Sequence, residues 1–341
     1  MNNFPPSIGI IGEGKMGTNI FHYLLDFGFP MIWVSNPKID LEKIQKSFQK
    51  KLKRSLDAGI LDETGFFFRT KNIRITNQLT DLSNCDLIIE AVTEDLQLKQ
   101  EIFIEIDAIA HPDCIFATNS SSIKPSGLYP SIARSDKFIG LHFFYPVSLK
   151  NIVELIITSQ TSLETVDYAK RFLSTIQRDH LQLDEKNSFA LNKIFLSFQN
   201  EAFLIVSEGK ATIRQMDDLI KENFFPFGAF DFMDSVGIPT MLASIVNYSK
   251  DYPDRAAYKP LILRLQAMSD KGTIFSHSDV EDQVNMEQLL LKEILTRLQI
   301  ALKEAIAAFT ERAGLVSEKM VSALNEYFGV DITKIIGMNP E

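Results

Sequence analysis

The chain has 341 residues, 45% of them apolar, with a formal net charge of −9; that suits two domains with a core each and disfavours a general nucleic-acid binder, which needs a basic face for phosphate. It contains no run of eighteen apolar residues, no basic and apolar leader, and only two cysteines, Cys85 and Cys114, too far apart for a metal or redox pair. The expectation is a cytoplasmic protein with reduced core thiols, no metal, and neither a membrane nor a nucleic acid as partner.

Ile8–Ile11 is a short apolar run that ends in GEGKMG; residues 18–27 then read as a helix closed by Gly28, and Met31–Val34 is a second apolar run. Strand, glycine-rich turn, helix and strand begin a dinucleotide-binding unit. In such a unit Gly12 makes the tight turn, Gly14 lets the backbone approach a pyrophosphate and Gly17 brings the helix close, with Lys15 and Met16 in the same turn. The phosphates would lie at the helix N-terminus. The acid expected after the second strand, for the ribose hydroxyls, is missing: Ser35, Asn36 and Pro37 stand there. Either the cofactor carries a 2′-phosphate, or neutral hydrogen bonds hold the ribose, or dinucleotide binding has been lost. Lys38 is the only nearby cation, which favours NAD over NADP.

From Lys38 to Arg54 seven basic residues stand against two acidic ones. The plain reading is a solvated helix face; an anionic ligand nearby would give it a second use. Residues 87–92 and 114–118 read as buried strands among helices, which implies a mostly parallel sheet with ligands beyond its C-terminal strand ends. That draws attention to Glu94 and Lys99 after one strand and to Asn119, Ser120, Ser121 and Ser122 after the other, although a Ser/Asn cluster also serves as a turn or cap.

Residues 138–144 and 151–157 are two further strand candidates with a break over 146–148. Pairing His142 with Glu154 centres the connection on Ser148, so an antiparallel arrangement would bring both to one face. A carboxylate on one ring nitrogen fixes the tautomer and makes the other a base, which suits proton removal from an alcohol; a buried structural pair is the competing reading. From about residue 188 helical periodicity dominates, over 189–207, 213–222, 255–268 and 286–310, and the stretch from Asn192 is echoed faintly from Thr296.

GIIGEGKMG, IIEAVTEDLQLK, ATNSSSI, GLHFFYPV, VEL, LNK and FGAFDFMDSVGI occur in an order and spacing that resemble the 3-hydroxyacyl-CoA dehydrogenases, across about residues 7–275. The resemblance implies an α/β Rossmann-type NAD-binding domain over 1–186, followed by an all-α C-terminal domain over 187–341. The latter divides into a family-type unit, 187–280, and a second repeat-type unit, 281–341. It implies His142 as catalytic base, Glu154 as its orienting acid, and Ser121 and Asn192 on the substrate oxygen. Glu94 and Lys99 would lie near the nicotinamide ribose, with Asn119 also at the cofactor, and Ser47 and Arg54 would contact the CoA of an acyl-CoA substrate. Ser35, Tyr145, Asn187-Ser188 and Ala229 depart from the family pattern. The repeat at 283–337 is expected to pack where a partner subunit covers shorter members, which leaves a monomer or a homodimer through the helical domain. A dehydrogenase of a CoA-free hydroxy acid and a cofactor-binding protein without turnover are the competing readings.

Overall fold

A computed structural model describes residues 6–129, 132–251, 255–277, 284–314 and 317–337. The chain divides into two compact units, Met1–Ser188 and Phe189–Glu341.

The first unit opens with β1 (Ile8–Ile11), α1 (Lys15–Leu24) and β2 (Met31–Val34). Helix α1 starts at Lys15 rather than at residue 18, because Gly14 is already its N-cap, and it tightens into a 3-10 turn over Leu25–Phe27 before Gly28 closes it. Gly12 has φ +117°, and a Cβ there would sit 2.6 Å from the carbonyl oxygen of Ala91. A Cβ on Gly17 would run into the carbonyl of Gly12, whereas one on Gly14 would meet nothing within 4 Å. Packing inside the protein therefore explains the first and third glycines and leaves the second facing open space.

The unit continues through α2 (Leu41–Asp57), α3 (Glu63–Asn72), β3 (Ile73–Thr76), β4 (Leu87–Glu90), α4 (Leu96–Ile109) and β5 (Ile115–Thr118). It ends with β6 (Phe138–Phe143), β7 (Ile152–Ile157), α5 (Leu163–Thr175) and β8 (Asp179–Asp184). All eight strands form one sheet in the order β3-β2-β1-β4-β5-β6-β7-β8. Strands β1 to β6 are parallel, β7 returns antiparallel to β6, and β8 runs with β7. Alternate side chains feed two cores: Ile10, Ile89 and Ala117 meet Ile20 of α1 and Phe172 of α5, while Ile11, Ile88 and Phe116 meet Phe103 and Ile106 of α4. Burial on both faces explains why these strands read as continuous apolar runs.

The second unit comprises α6 (Ala190–Ser207), α7 (Ile213–Asn223), α8 (Ala229–Val236), α9 (Ile238–Ser249), α10 (Lys259–Lys271), α11 (Gln288–Ala313), α12 (Ser317–Phe328) and α13 (Ile332–Ile336). The helix expected over 255–268 is instead a 3-10 turn followed by α10, since Pro260 starts a fresh helix in its first turn. Helix α6 is buried around most of its circumference, as befits a central helix. Phe198 of α6 meets Phe225, which stacks on Phe328 of α12 at 4.1 Å, and Arg297 of α11 bridges Glu201 and Glu208 at 2.6 and 2.7 Å. The C-terminal helices thus cover α6 from within the same chain; Gln283, where that segment was expected to begin, lies outside the described residues. Helices α6 and α11, the two halves of the sequence echo, are each followed by a left-handed glycine, Gly209 and Gly314. No single helix among the described residues is long and apolar enough to cross a membrane.

Candidate active site

His142 and Glu154 are direct register partners across the antiparallel pair β6/β7. The imidazole Nδ1 lies 2.9 Å from Glu154 Oε2, with Glu154 fully buried and His142 4% exposed. A carboxylate that accepts from Nδ1–H selects the tautomer whose Nε2 is basic. The Phe144 ring packs 4.4 Å from the imidazole and limits its rotation. Because His142 is the penultimate residue of a strand parallel to β5, it stands at the C-terminal edge of the sheet, where ligands bind in this architecture.

The loops after β4 and β5 build up to that edge. Asn119 Oδ1 accepts the backbone N–H of Phe143 at 2.9 Å, which ties the serine-rich loop to the residue beside His142. Glu94 Oε1 in turn collects the hydroxyls of Ser120 and Ser122 and the N–H groups of Ser121 and Ser122, at 2.5 to 3.0 Å. Beneath them Lys99, 1% exposed, places its ammonium 2.6 Å from Glu90, 3.2 Å from the Val92 carbonyl and 3.5 Å from Glu94 Oε2. Burial alone would raise the Glu94 carboxyl, but Lys99 and the serine donors outweigh it and hold the group below the usual carboxylate range. The serine cluster is therefore both a turn and a clamp, and it fixes the backbone of Ser121. Sequence reasoning missed Glu90, which also accepts from Thr118 Oγ1 at 2.7 Å. Its signal was an acid ending the otherwise apolar run LIIE, nine residues before Lys99.

A cavity of about 450 Å³ opens beside the glycine loop, with Gly12, Glu13, Gly14, Ser35 and Asn36 in its wall. Helix α1 has no side-chain cap and no acid in its first turn, so its N-terminal N–H groups suit a pyrophosphate. Together with the open space at Gly14, this is what a bound NAD needs from the loop. Lys15 places its ammonium 3.9 Å from the centre of the Tyr145 ring, which gives one of the four departing positions a partner, and Met16 packs against the sheet core. On α2, Phe48 and Leu52 face inward while Ser47 and Arg54 are exposed on one stripe with Lys43 and Lys50. The buried Cys85 and Cys114 are free thiols, and burial pushes both up, Cys85 to about 12.

Asn192 lies in the second unit, in the first turn of α6. Its carboxamide is gripped at both ends: Nδ2 donates to Tyr248 Oη at 3.1 Å, and Tyr327 Oη donates to Oδ1 at 3.0 Å. Tyr327 belongs to α12, so the C-terminal segment reaches a residue that the sequence singled out for substrate.

The model of the 3-hydroxyacyl-CoA dehydrogenase NAD binding domain matches residues 7–186, and that of the C-terminal domain matches residues 189–274. The mouse mitochondrial hydroxyacyl-coenzyme A dehydrogenase is 28% identical over 260 residues, 74% of this chain and 83% of that protein. A 3-hydroxybutyryl-CoA dehydrogenase of Bradyrhizobium diazoefficiens is 30% identical over 237 residues, 69% of this chain and 81% of its own length. Among solved structures, the (S)-3-hydroxybutyryl-CoA dehydrogenase of Ralstonia eutropha superposes with TM-score 0.70 at 28% identity, covering 83% of this chain and 99% of that one. The dehydrogenase part of a multifunctional enzyme from Caenorhabditis elegans covers 97% of this chain and 78% of its own, at 21% identity and TM-score 0.53, a likeness of fold alone.

Proposed function

The chain belongs to the 3-hydroxyacyl-CoA dehydrogenase family, and from that premise we propose that it transfers hydride between NAD and C3 of a 3-hydroxyacyl-CoA, a step of the fatty-acid β-oxidation type. The observation that carries the reading is the His142–Glu154 pair at the C-terminal edge of the sheet. His142 removes the proton from the 3-hydroxyl through Nε2, and Glu154 stabilises the imidazolium that forms. When bound, NAD supplies the hydride acceptor at its nicotinamide ring. Ser121, on its clamped loop, and Asn192 orient the substrate oxygen. The exposed stripe of Ser47, Lys50 and Arg54 attracts the anionic CoA to a protein whose net charge is −9.

Reduction of acetoacetyl-CoA with loss of NADH absorbance tests this, with turnover abolished by His142→Gln. A folded protein that binds NADH and turns over no acyl-CoA of any length would instead favour a CoA-free hydroxy acid. We further assign the protein to the cytoplasm, consistent with two buried free thiols, with no nucleic acid or membrane as partner. With α11 and α12 covering α6 in the same chain, a monomer is the expected state, and a tight dimer in equilibrium sedimentation through that surface would overturn it.

A further inference from the structure

The second strand of the nucleotide fold ends without an acid, yet an acid is present in space. Ser35 is 3% exposed, and its hydroxyl points to the carbonyl of Thr76 on the neighbouring strand, 3.5 Å away, so it is turned into the sheet. Glu13, the residue between the first two glycines, reaches across from the phosphate loop, and its Oε2 accepts the backbone N–H of Asn36 at 2.8 Å. A carboxylate from one end of the βαβ unit is thereby pinned at the tip of β2, where a ribose-binding acid would otherwise project. Its second oxygen, Oε1, has no hydrogen-bond partner among the described residues, and Glu13 is only partly buried, in the wall of the cavity. Glu105 is the one other charged residue in that wall, and no lysine or arginine lines it. The backbone N–H of Lys38 bonds to Asn36 Oδ1, and its side chain forms no part of the wall.

We infer that Glu13 replaces the missing acid: it accepts from the hydroxyls of the adenosine ribose and excludes a 2′-phosphate by like charge with no cation to offset it. The inference rests on the dehydrogenase reading and deepens it by naming the residue that sets cofactor choice. It also removes the apparent choice between a phosphorylated cofactor, loose neutral contacts and lost binding, because a carboxylate from the glycine loop stands at the end of β2 in place of one from the strand itself. The geometry that makes this workable is the short distance between the glycine turn and the end of β2, both of which sit at the C-terminal edge of neighbouring parallel strands.

The test is binding without substrate, by titration of NADH and NADPH fluorescence against the full chain and its Glu13→Gln and Glu13→Ala variants. Wild type should bind NADH far more tightly than NADPH. Loss of charge-assisted hydrogen bonds should raise the NADH Kd by about 10-fold in Glu13→Gln and up to about 100-fold in Glu13→Ala, while the NADPH Kd falls, so that the preference collapses. In wild type alone, adenosine 5′-monophosphate should displace NADH and adenosine 2′,5′-bisphosphate should not, which tests the charge argument without any variant. Wild type that prefers NADH, with variants that keep the same preference, would overturn the role of Glu13 and leave the dehydrogenase reading standing. Wild type that binds neither dinucleotide would overturn both.

Discussion

Glu154→Gln isolates the charge of the buried acid while keeping its volume. The perturbed contact is the 2.9 Å bond to His142 Nδ1, made by a carboxylate with no solvent exposure. With an effective dielectric of about 20 and charges about 4 Å apart, the carboxylate stabilises the imidazolium by about 4 kcal/mol. A glutamine oxygen retains a neutral hydrogen bond worth about 1 kcal/mol. The remaining difference, about 3 kcal/mol, appears only once the proton has moved to the ring, so kcat should fall on the order of 100-fold. A glutamine that turned its NH2 toward Nδ1 would select the wrong tautomer and lower kcat further. Because residue 154 is sealed from ligand, KM for 3-hydroxybutyryl-CoA should change by less than about 2-fold. Steady-state rates of 3-hydroxybutyryl-CoA oxidation at saturating NAD measure both constants, with unchanged NADH binding as the control for folding. A variant with wild-type kcat, or one whose whole defect lies in KM, would refute the assignment of Glu154 as the partner of a general base.

Tyr327→Phe removes the donor to Asn192 Oδ1 and leaves Tyr248 in place; kcat should drop by about 2- to 10-fold, and an unchanged kcat would separate α12 from catalysis. Replacing Lys50 and Arg54 together by alanine should raise KM for acetoacetyl-CoA by up to about 10-fold, with no change for a CoA-free thioester and with the effect fading at high salt. Asp217 caps α8 through the N–H groups of Phe230 and Asp231, and burial, only partly offset by those donors, pushes its carboxyl from 3.8 up to about 6. A raised pKa contributes stability that is complete below about pH 4 and is lost as pH rises through about 6, worth about 3 kcal/mol in all. Urea unfolding of Asp217→Asn should lack that decline, and a wild-type slope between pH 4 and 6 would sink the argument.

The parts of the fold legible in the sequence were those whose burial is symmetrical. IGII and MIWV are apolar throughout, and LIIE and IFAT up to their last residue, because both faces of a parallel sheet are covered, and a glycine or turn signal bounds each one. Strands β3 and β8 escaped notice for the opposite reason. They are the edges of the sheet; β3 exposes Arg74, and β8 reads DHLQLD with an exposed acid at each end. Helix α3 has no buried residue at all, so its sequence carries no apolar stripe to find.

For the site, what could be read in advance depended on whether two residues are joined by register or only by proximity. His142 and Glu154 sit symmetrically about a turn, so the period-two geometry of strands alone put them together. No such rule links Glu13 to Asn36, Glu94 to the serine loop, or Tyr327 to Asn192, which are 23, 28 and 135 residues apart in their bonded pairs. Each depends on loops converging at the same end of parallel strands, or on a helix from the end of the chain lying over one from the start of its domain. The absence of an acid at Ser35 is the sharpest case. A motif read along the chain counts a missing residue as a missing function, whereas the ligand meets only the charges that surround it, and here a glutamate 22 residues earlier stands in the same place. Departures from a family pattern are therefore better judged by the contacts left at the site than by the letter at the position.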